Sequence, residues 1–517
     1  MKKSTSFVFQ AGILAAAGLI TKVIGFVYRI PMANILGNTG NGIYSVAFGI
    51  YGIVLILSSY SMPVSVSKLI SERTEIYGKE EGKKVFLVSL FVAIILGWAA
   101  CFSLFIGSDF LAAQYHKPGI QMSLKILAPT TFVVAIAGCF RGYYQGYGNM
   151  VPTSVSQIIE QLINAFVSLY AASTLYQVLK VSNNISAVKS AGATLGTFLG
   201  ALGALSILVI YYVKYRDKTK KSIMRQEGLK IGKKLFLIML PIIFSQTIYQ
   251  IGYTLDDLIF SKIMLKSGME LTQITNLQGV FNTQYTQLIN LPVGMATAFG
   301  VSALPRISIA FAKNRKEEVL ANIQKLVSIT SLIVFPAFVG LTICSDEIMK
   351  VLFPTLGSYH VLAKQMLFYG SSATVFYSFS TVTTSILQGC NEFKIPVRNS
   401  FISLIIHLGL VVGILRYTSF NIYGLLIGDI VFPAIILILN LKHLKKQGLF
   451  LQFKKNILPH LMGSISMGVI LLLAKKILTP LVEWNSTLLV VEVIIGGAAY
   501  GLSLIHISEP TRRSYIS

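Results

Sequence analysis

Residues 144–154, YQGYGNMVPTS, and 387–400, LQGCNEFKIPVRNS, close two apolar stretches with the same signals: a Gln-Gly pair, an asparagine, then a proline and a serine. The Gln-Gly pairs lie 243 residues apart, and Pro152 and Pro396 lie 244 apart. A further match joins Met62-Pro63-Val64-Ser65 to Leu304-Pro305-Arg306-Ile307-Ser308, with prolines 242 apart. Gly, Pro and Asn mark turns in any protein. Three coincidences at one offset, each where an apolar stretch ends, point instead to an internal duplication.

The apolar stretches themselves set the class. Of 517 residues, 54% are hydrophobic and 12% charged, with a mean hydropathy of +0.69. Soluble chains carry about 25% charged residues, so this chain lacks the charge to cover a soluble core, which excludes a soluble enzyme. A membrane helix needs about 20 mostly apolar residues. Such stretches fall near 7–28, 43–66, 85–107, 121–143, 153–177, 188–213, 233–262, 279–304, 323–344, 362–387, 397–416, 421–441, 457–478 and 486–505. Backbone polar groups in lipid must be satisfied within the segment, so these fourteen stretches are expected to be helices. The first, although preceded by Lys2 and Lys3, is too long for a signal core and is expected to be a retained span.

An offset of six spans puts both copies in the same orientation. The expected fold is therefore all-α and integral to the membrane: a six-helix lobe over 1–215, a parallel six-helix lobe over 216–455, and two further helices over 456–502. Residues 503–517, SLIHISEPTRRSYIS, resemble translated adaptor sequence and are treated as a non-native tail. Transporters built from such repeats bind cargo in a central cavity and alternate its access.

The net charge of +24 follows the topology. With the amino terminus in the cytoplasm, 29 of the Lys and Arg residues fall on the cytoplasmic side and 11 on the other. This is a positive-inside pattern, expected of a multi-pass protein of the cytoplasmic membrane, and nucleic acid is not needed to explain the basicity. Cys101, Cys139, Cys344 and Cys390 are scattered, as are the six histidines. Neither a disulfide framework nor a metal or cofactor site is expected.

Ionisable side chains at membrane depth are costly and mark function by default. Gly18, Lys22, Gly25 and Arg29 recur at spacings 4, 3 and 4 in the first span. Their stripe holds the two cations about 20° apart around the helix, on a face kept small by glycine, which suits a bulky anionic group. Span 7, the equivalent of span 1, carries Gln246, Gln250, Tyr253 and Asp257 at the same spacings, with Asp256 adjacent. Asp256 and Asp257 are expected to pair with the span-1 cations as a gate. Asn282 and Tyr285 extend the polar lining into span 8, and Arg141 with Glu160 is expected to form an ion pair beside the first Gln-Gly turn. Asp429 and Glu492 stand as isolated intramembrane carboxylates.

The segment KVIGFVYRIP (22–31), then GNGIY (40–44), RGYYQG (141–146) and PTSVSQIIEQ (152–161), resembles the stage V sporulation protein B family of polysaccharide exporters. The resemblance covers about 1–502. That family sits in the multidrug/oligosaccharidyl-lipid/polysaccharide exporter superfamily with the lipid II flippases. It implies fourteen helices in two six-helix lobes, a V-shaped cavity and a lipid-tail groove near spans 13 and 14. By motif position Lys22 matches one span-1 arginine of the lipid II flippases, whereas a second falls on Tyr28, one residue before Arg29.

The resemblance implies a flippase for an undecaprenyl-pyrophosphate-linked saccharide, working by alternating access, as a monomer, with a possible coupling cation and no cofactor. A cation-coupled exporter of small molecules and a non-transporting scaffold for envelope or spore assembly are the alternatives. The chain carries no GxxxxGK[ST] loop for ATP.

Overall fold

A computed structural model of the chain describes residues 7–117, 119–179, 184–215, 225–450, 452–478 and 485–513. Every regular element among them is helical. Two compact units divide at Gly279/Val280. The first holds α1 (Phe7–Leu55), α2 (Met62–Tyr77), α3 (Lys79–Gln114), α4 (Ile120–Gly146), α5 (Val151–Val178), α6 (Ile185–Tyr215), α7 (Arg225–Lys266) and α8 (Leu271–Gly279). The second holds α9 (Thr286–Ala312), α10 (Lys316–Ile343), α11 (Ser345–Leu352), α12 (His360–Gly370), α13 (Ala373–Gly389), α14 (Lys394–Tyr417), α15 (Tyr423–Lys446), α16 (Phe453–Asn456), α17 (Leu458–Leu478) and α18 (Asn485–Arg513). Span 7, expected to head the second lobe, packs within the first unit, where α7 lies against α1, α2, α3 and α8.

Among the described residues, eleven helices are long and apolar enough to cross a membrane. The fourteen expected spans do not map onto them one to one, for reasons visible in the chain. The first of the eleven runs from Gly12 to Tyr77 and is broken at Gly37, where φ is 66° and ψ 178°. Glycine alone adopts such a backbone without a Cβ penalty, so two expected spans merge in the count. The stretch 362–387 is split between α12 and α13 at Ser371 and Ser372, leaving neither piece long enough.

The duplicated motif folds the same way twice. After α4, the Gly148 amide donates to the Gln145 carbonyl and Asn149 to Tyr144; after α13, Asn391 donates to Gln388 and Glu392 to Leu387. The residue three beyond each glutamine is left-handed, Gly148 at φ 75° and Asn391 at φ 64°. This pairing closes helix C-termini and satisfies carbonyls that would otherwise be orphaned. The glycine of each Gln-Gly pair meets an isoleucine, Gly146 against Ile70 and Gly389 against Ile307. Those isoleucines lie on α2 and α9, at the ends of spans 2 and 8.

Small residues bring α5 and α6 together backbone to backbone. Gly192, Gly196 and Gly200 follow each other at intervals of four. A Cβ on each would come within 2.6 Å of the carbonyl oxygens of Ala171, Asn164 and Glu160. In lipid, where apolar burial gives helices no reason to associate, such close approach supplies the dispersion contacts that hold them. Around this pair, Met62, Val66, Leu69 and Ile70 pack with Phe86, Phe140 and Leu208. In the second unit the corresponding core gathers Ile307, Ile323, Val327, Val382 and Ile386.

Candidate functional site

The first half of α1 presents three faces. Leu19, Ile20, Val23 and Val27 are between 41% and 59% exposed and form the side toward lipid. Ala17, Tyr28 and Met32 are buried, the latter two in a cluster with Ala165 and Ala172 of α5. Lys22 and Arg29 are exposed as well, yet at 100° per residue their stripe centres roughly 140° from the lipid side. Their exposure therefore belongs to a different face from the one that meets acyl chains. Nothing approaches a Cβ built on Gly18, and one on Gly25 would have the Gln161 side chain as its nearest neighbour at 3.9 Å. Of the four residues of the stripe, the two cations are exposed and the two glycines half-buried.

Polar groups of α5 and of the second half of α1 flank it. Arg29 lies beside the Tyr28 hydroxyl and within electrostatic reach of Tyr44. The Asn164 amide donates to the Tyr28 hydroxyl at 3.2 Å, and the Ser168 hydroxyl donates to Asn164 at 2.9 Å. Tyr28, Tyr44 and Asn164 are themselves buried, so the exposed donors of this face are the Lys22 ammonium and the Arg29 guanidinium, groups suited to phosphate oxygens. Asn164 did not stand out in the sequence, although a run of Ser, Gln, Glu and Asn along α5 is the signal that marks this face. Tyr28, Tyr44 and Gln161 were visible only as parts of motifs.

Arg141 and Glu160 meet as expected, Nη2 to Oε2 at 2.5 Å, and Arg141 Nε also donates to Ser156 at 3.1 Å. The pair ties the end of α4 to α5 beside the Gln-Gly turn.

The acidic half of the expected gate is buried. Asp256 and Asp257 are 8% and 6% exposed, buried rather than facing outer water. Asp257 accepts from the Gln278 amide at 2.9 Å. Gln278 in turn accepts from Lys117 and from Ser261. Lys117, only 2% exposed, comes from the turn between α3 and α4; burial pushes its ammonium down to about 8, with Asp257 acting in the opposite direction. Lys117, brought in by a loop, is thus linked to Asp257 through Gln278 and lies within its electrostatic reach. A lysine in a short connection gives no sequence signal that it will be buried.

Other expected lining residues also take different places. The Gln250 amide donates to the Gly49 carbonyl at 3.2 Å, and Thr254 reaches the same oxygen at 3.3 Å, so Gln250 serves the seam between α7 and α1. The side chains of Gln246 and Tyr253 lie outside the described residues. Asn282 and Tyr285 belong to the second unit, in a π-helical turn over Val280–Tyr285. Asn282 is half-buried there. Tyr285 is fully buried and donates to Asp429 at 2.9 Å, which removes it from any binding surface. Tyr377 donates to the other Asp429 oxygen at 2.8 Å, so that carboxylate is not isolated. Tyr377→Phe is expected to cost about 1.5–3 kcal/mol, the range for a hydrogen bond to a charged group, read as a lower thermal midpoint of the detergent-solubilised protein.

This architecture is that of a multi-pass membrane transporter of the exporter superfamily. The chain belongs to the polysaccharide biosynthesis protein family, which matches residues 8–311; residues 281–412 also match the MatE family. It is 25% identical over 420 residues to the lipid II flippase MurJ of Bacillus subtilis, covering 78% of this chain and 76% of that one. It is 24% identical over 418 residues to stage V sporulation protein B of the same organism, covering 80% and 78%. Among solved structures, a lipid II flippase MurJ in an inward closed conformation aligns over 98% of this chain and 99% of its own, with TM-score 0.71 and 15% identity. A multidrug resistance MATE family transporter in an inward-facing conformation aligns over 83% and 94%, with TM-score 0.69 and 15% identity. At that identity the likeness is one of fold.

Proposed function

We propose that the protein is a flippase for an undecaprenyl-pyrophosphate-linked saccharide, a lipid II type or related cell-wall or polysaccharide precursor, which it moves across the cytoplasmic membrane by alternating access. The observation that carries this reading is the exposed Lys22–Arg29 stripe, turned away from the lipid side of α1 and flanked by Tyr28, Tyr44 and Asn164. Relatives named as flippases for lipid-linked cargo support it.

A diphosphate cannot enter hydrocarbon alone, and charge-assisted hydrogen bonds from lysine and arginine replace part of its hydration. With the amino terminus in the cytoplasm, the headgroup travels outward. Each elementary charge crossing the membrane is worth about 2.3 kcal/mol per 100 mV, and an inside-negative potential favours both the outward step of the anion and the return of an empty cationic site. The potential thereby drives the cycle as a transporter, with or without a coupling cation.

The test sets two assays side by side in proteoliposomes: flipping of a fluorescent lipid-linked saccharide, and efflux of a cationic dye. The expected result is flipping that quickens with an inside-negative potential, and no dye efflux. Dye efflux without flipping assigns the chain to the small-molecule exporters, to which the MatE match over 281–412 also relates; neither activity leaves a scaffold.

A further inference from the structure

Glu492, read from the sequence as an isolated carboxylate, is the eighth residue of α18 and is 1% exposed. Neither of its side-chain oxygens has a nitrogen or oxygen hydrogen-bonding partner among the described residues; the weak donor beside them is the Cys344 thiol. Its electrostatic neighbours are Glu347 of α11, the Cys344 thiol at the α10–α11 junction, and Lys475 of α17. Glu347 is itself 4% exposed and meets Lys475 at 2.7 Å. Lys475 also donates to the Ile343 carbonyl at 3.1 Å. The walls are apolar, with Val339, Ile343, Ile348, Met467 and Leu471 gathered around Cys344.

The charges do not balance. Among the described residues, two carboxyl groups, 1% and 4% exposed, share one ammonium. An ionised Glu492 carboxylate there, with only a thiol as donor and beside a second carboxylate, carries a large cost of desolvation and of like-charge repulsion. A bound ion or a proton must correct the imbalance. Hard cations take six or more oxygen ligands, whereas the side chains gathered here are apolar, which favours the proton. From the elements packed against α18, the titratable groups facing Glu492 are Cys344, Glu347 and Lys475.

We propose that Glu492 and Glu347, balanced by Lys475, form a proton-binding site in the second unit, outside the cationic face of α1. One proton is held by the carboxyl pair: the Glu492 carboxyl donates it toward the Glu347 carboxylate, which keeps its ion pair with Lys475. The proton exchanges with water at the Lys475 end, where that side chain is 26% exposed. Because the pair shares a single proton, its titration belongs to both residues together. The site is independent of what the protein carries.

Infrared difference spectroscopy of the full-length protein in liposomes, titrated from acid to alkaline pH, tests this. The wild type is expected to show a carboxylic-acid carbonyl band at neutral pH that shifts on deuteration. Glu492→Gln removes it. Glu347→Gln also removes it, because Lys475 then faces Glu492 alone and holds it ionised. Lys475→Met does the reverse and raises the band about twofold, since both acids then take up a proton. A spectrum unchanged by both glutamine substitutions overturns the site. A band lost with Glu492→Gln but retained with Glu347→Gln overturns the shared proton and leaves a buried neutral acid. Should Glu492→Gln fail to fold, Glu347→Gln and Lys475→Met still decide between these results.

Discussion

Replacing Lys22 or Arg29 by alanine is expected to slow flipping about ten- to hundredfold while leaving the protein inserted and folded. The size follows from charge-assisted hydrogen bonds worth about 1.5–3 kcal/mol each. The retention of fold follows from exposure, since neither side chain is part of a packed core. Arg29→Lys is expected to recover part of the rate if point charge dominates, and little if bidentate geometry does. Flux of a fluorescent lipid-linked saccharide, normalised to folded protein by size-exclusion profile, measures both. Wild-type rates in both alanine variants would remove the cationic face from the mechanism.

A second large effect is expected where α8 docks on the second half of α1. A Cβ on Gly42 falls on the Thr275 carbonyl oxygen, and one on Gly279 falls on the Asn38 carbonyl oxygen. Backbone cannot give way as a flexible side chain does. Each of Gly42→Ala and Gly279→Ala is therefore expected to cost about 3 kcal/mol, the upper end of ordinary overpacking. The nearby bond from Thr39 to Asn276, 2.7 Å, would be lost with the docking. Gly18→Ala, which meets nothing within 4 Å, is the matched control and should leave the thermal midpoint unchanged. Equal midpoints for all three variants would show that α8 does not rest on α1 as described.

The helical class and the repeated turn were legible in the sequence because both depend on local chemistry. Apolar length decides that a segment is a helix in lipid, and the αL requirement three residues past Gln145 and Gln388 is met by Gly148 and Asn391. The cationic stripe was equally legible, since spacing along one helix fixes a face whatever surrounds it. Partners across helices were not. Asp257 and Lys117 are 140 positions apart, and nothing in either segment announces the other. Tyr285 and Asp429 each looked like exposed polar candidates or lone charges until the second unit brought them together with Tyr377. Polarity inside a span signals that a partner exists. It does not say whether that partner is cargo, water or another helix.

The glycine ladder of α6 has a mechanical consequence. Because Gly192, Gly196 and Gly200 seat the backbone of α5, these two helices cannot slip past each other by a fraction of a turn without steric collision. They behave as one plank. Any force that displaces α5 must carry α6 along with it, so a small local push moves both helices together.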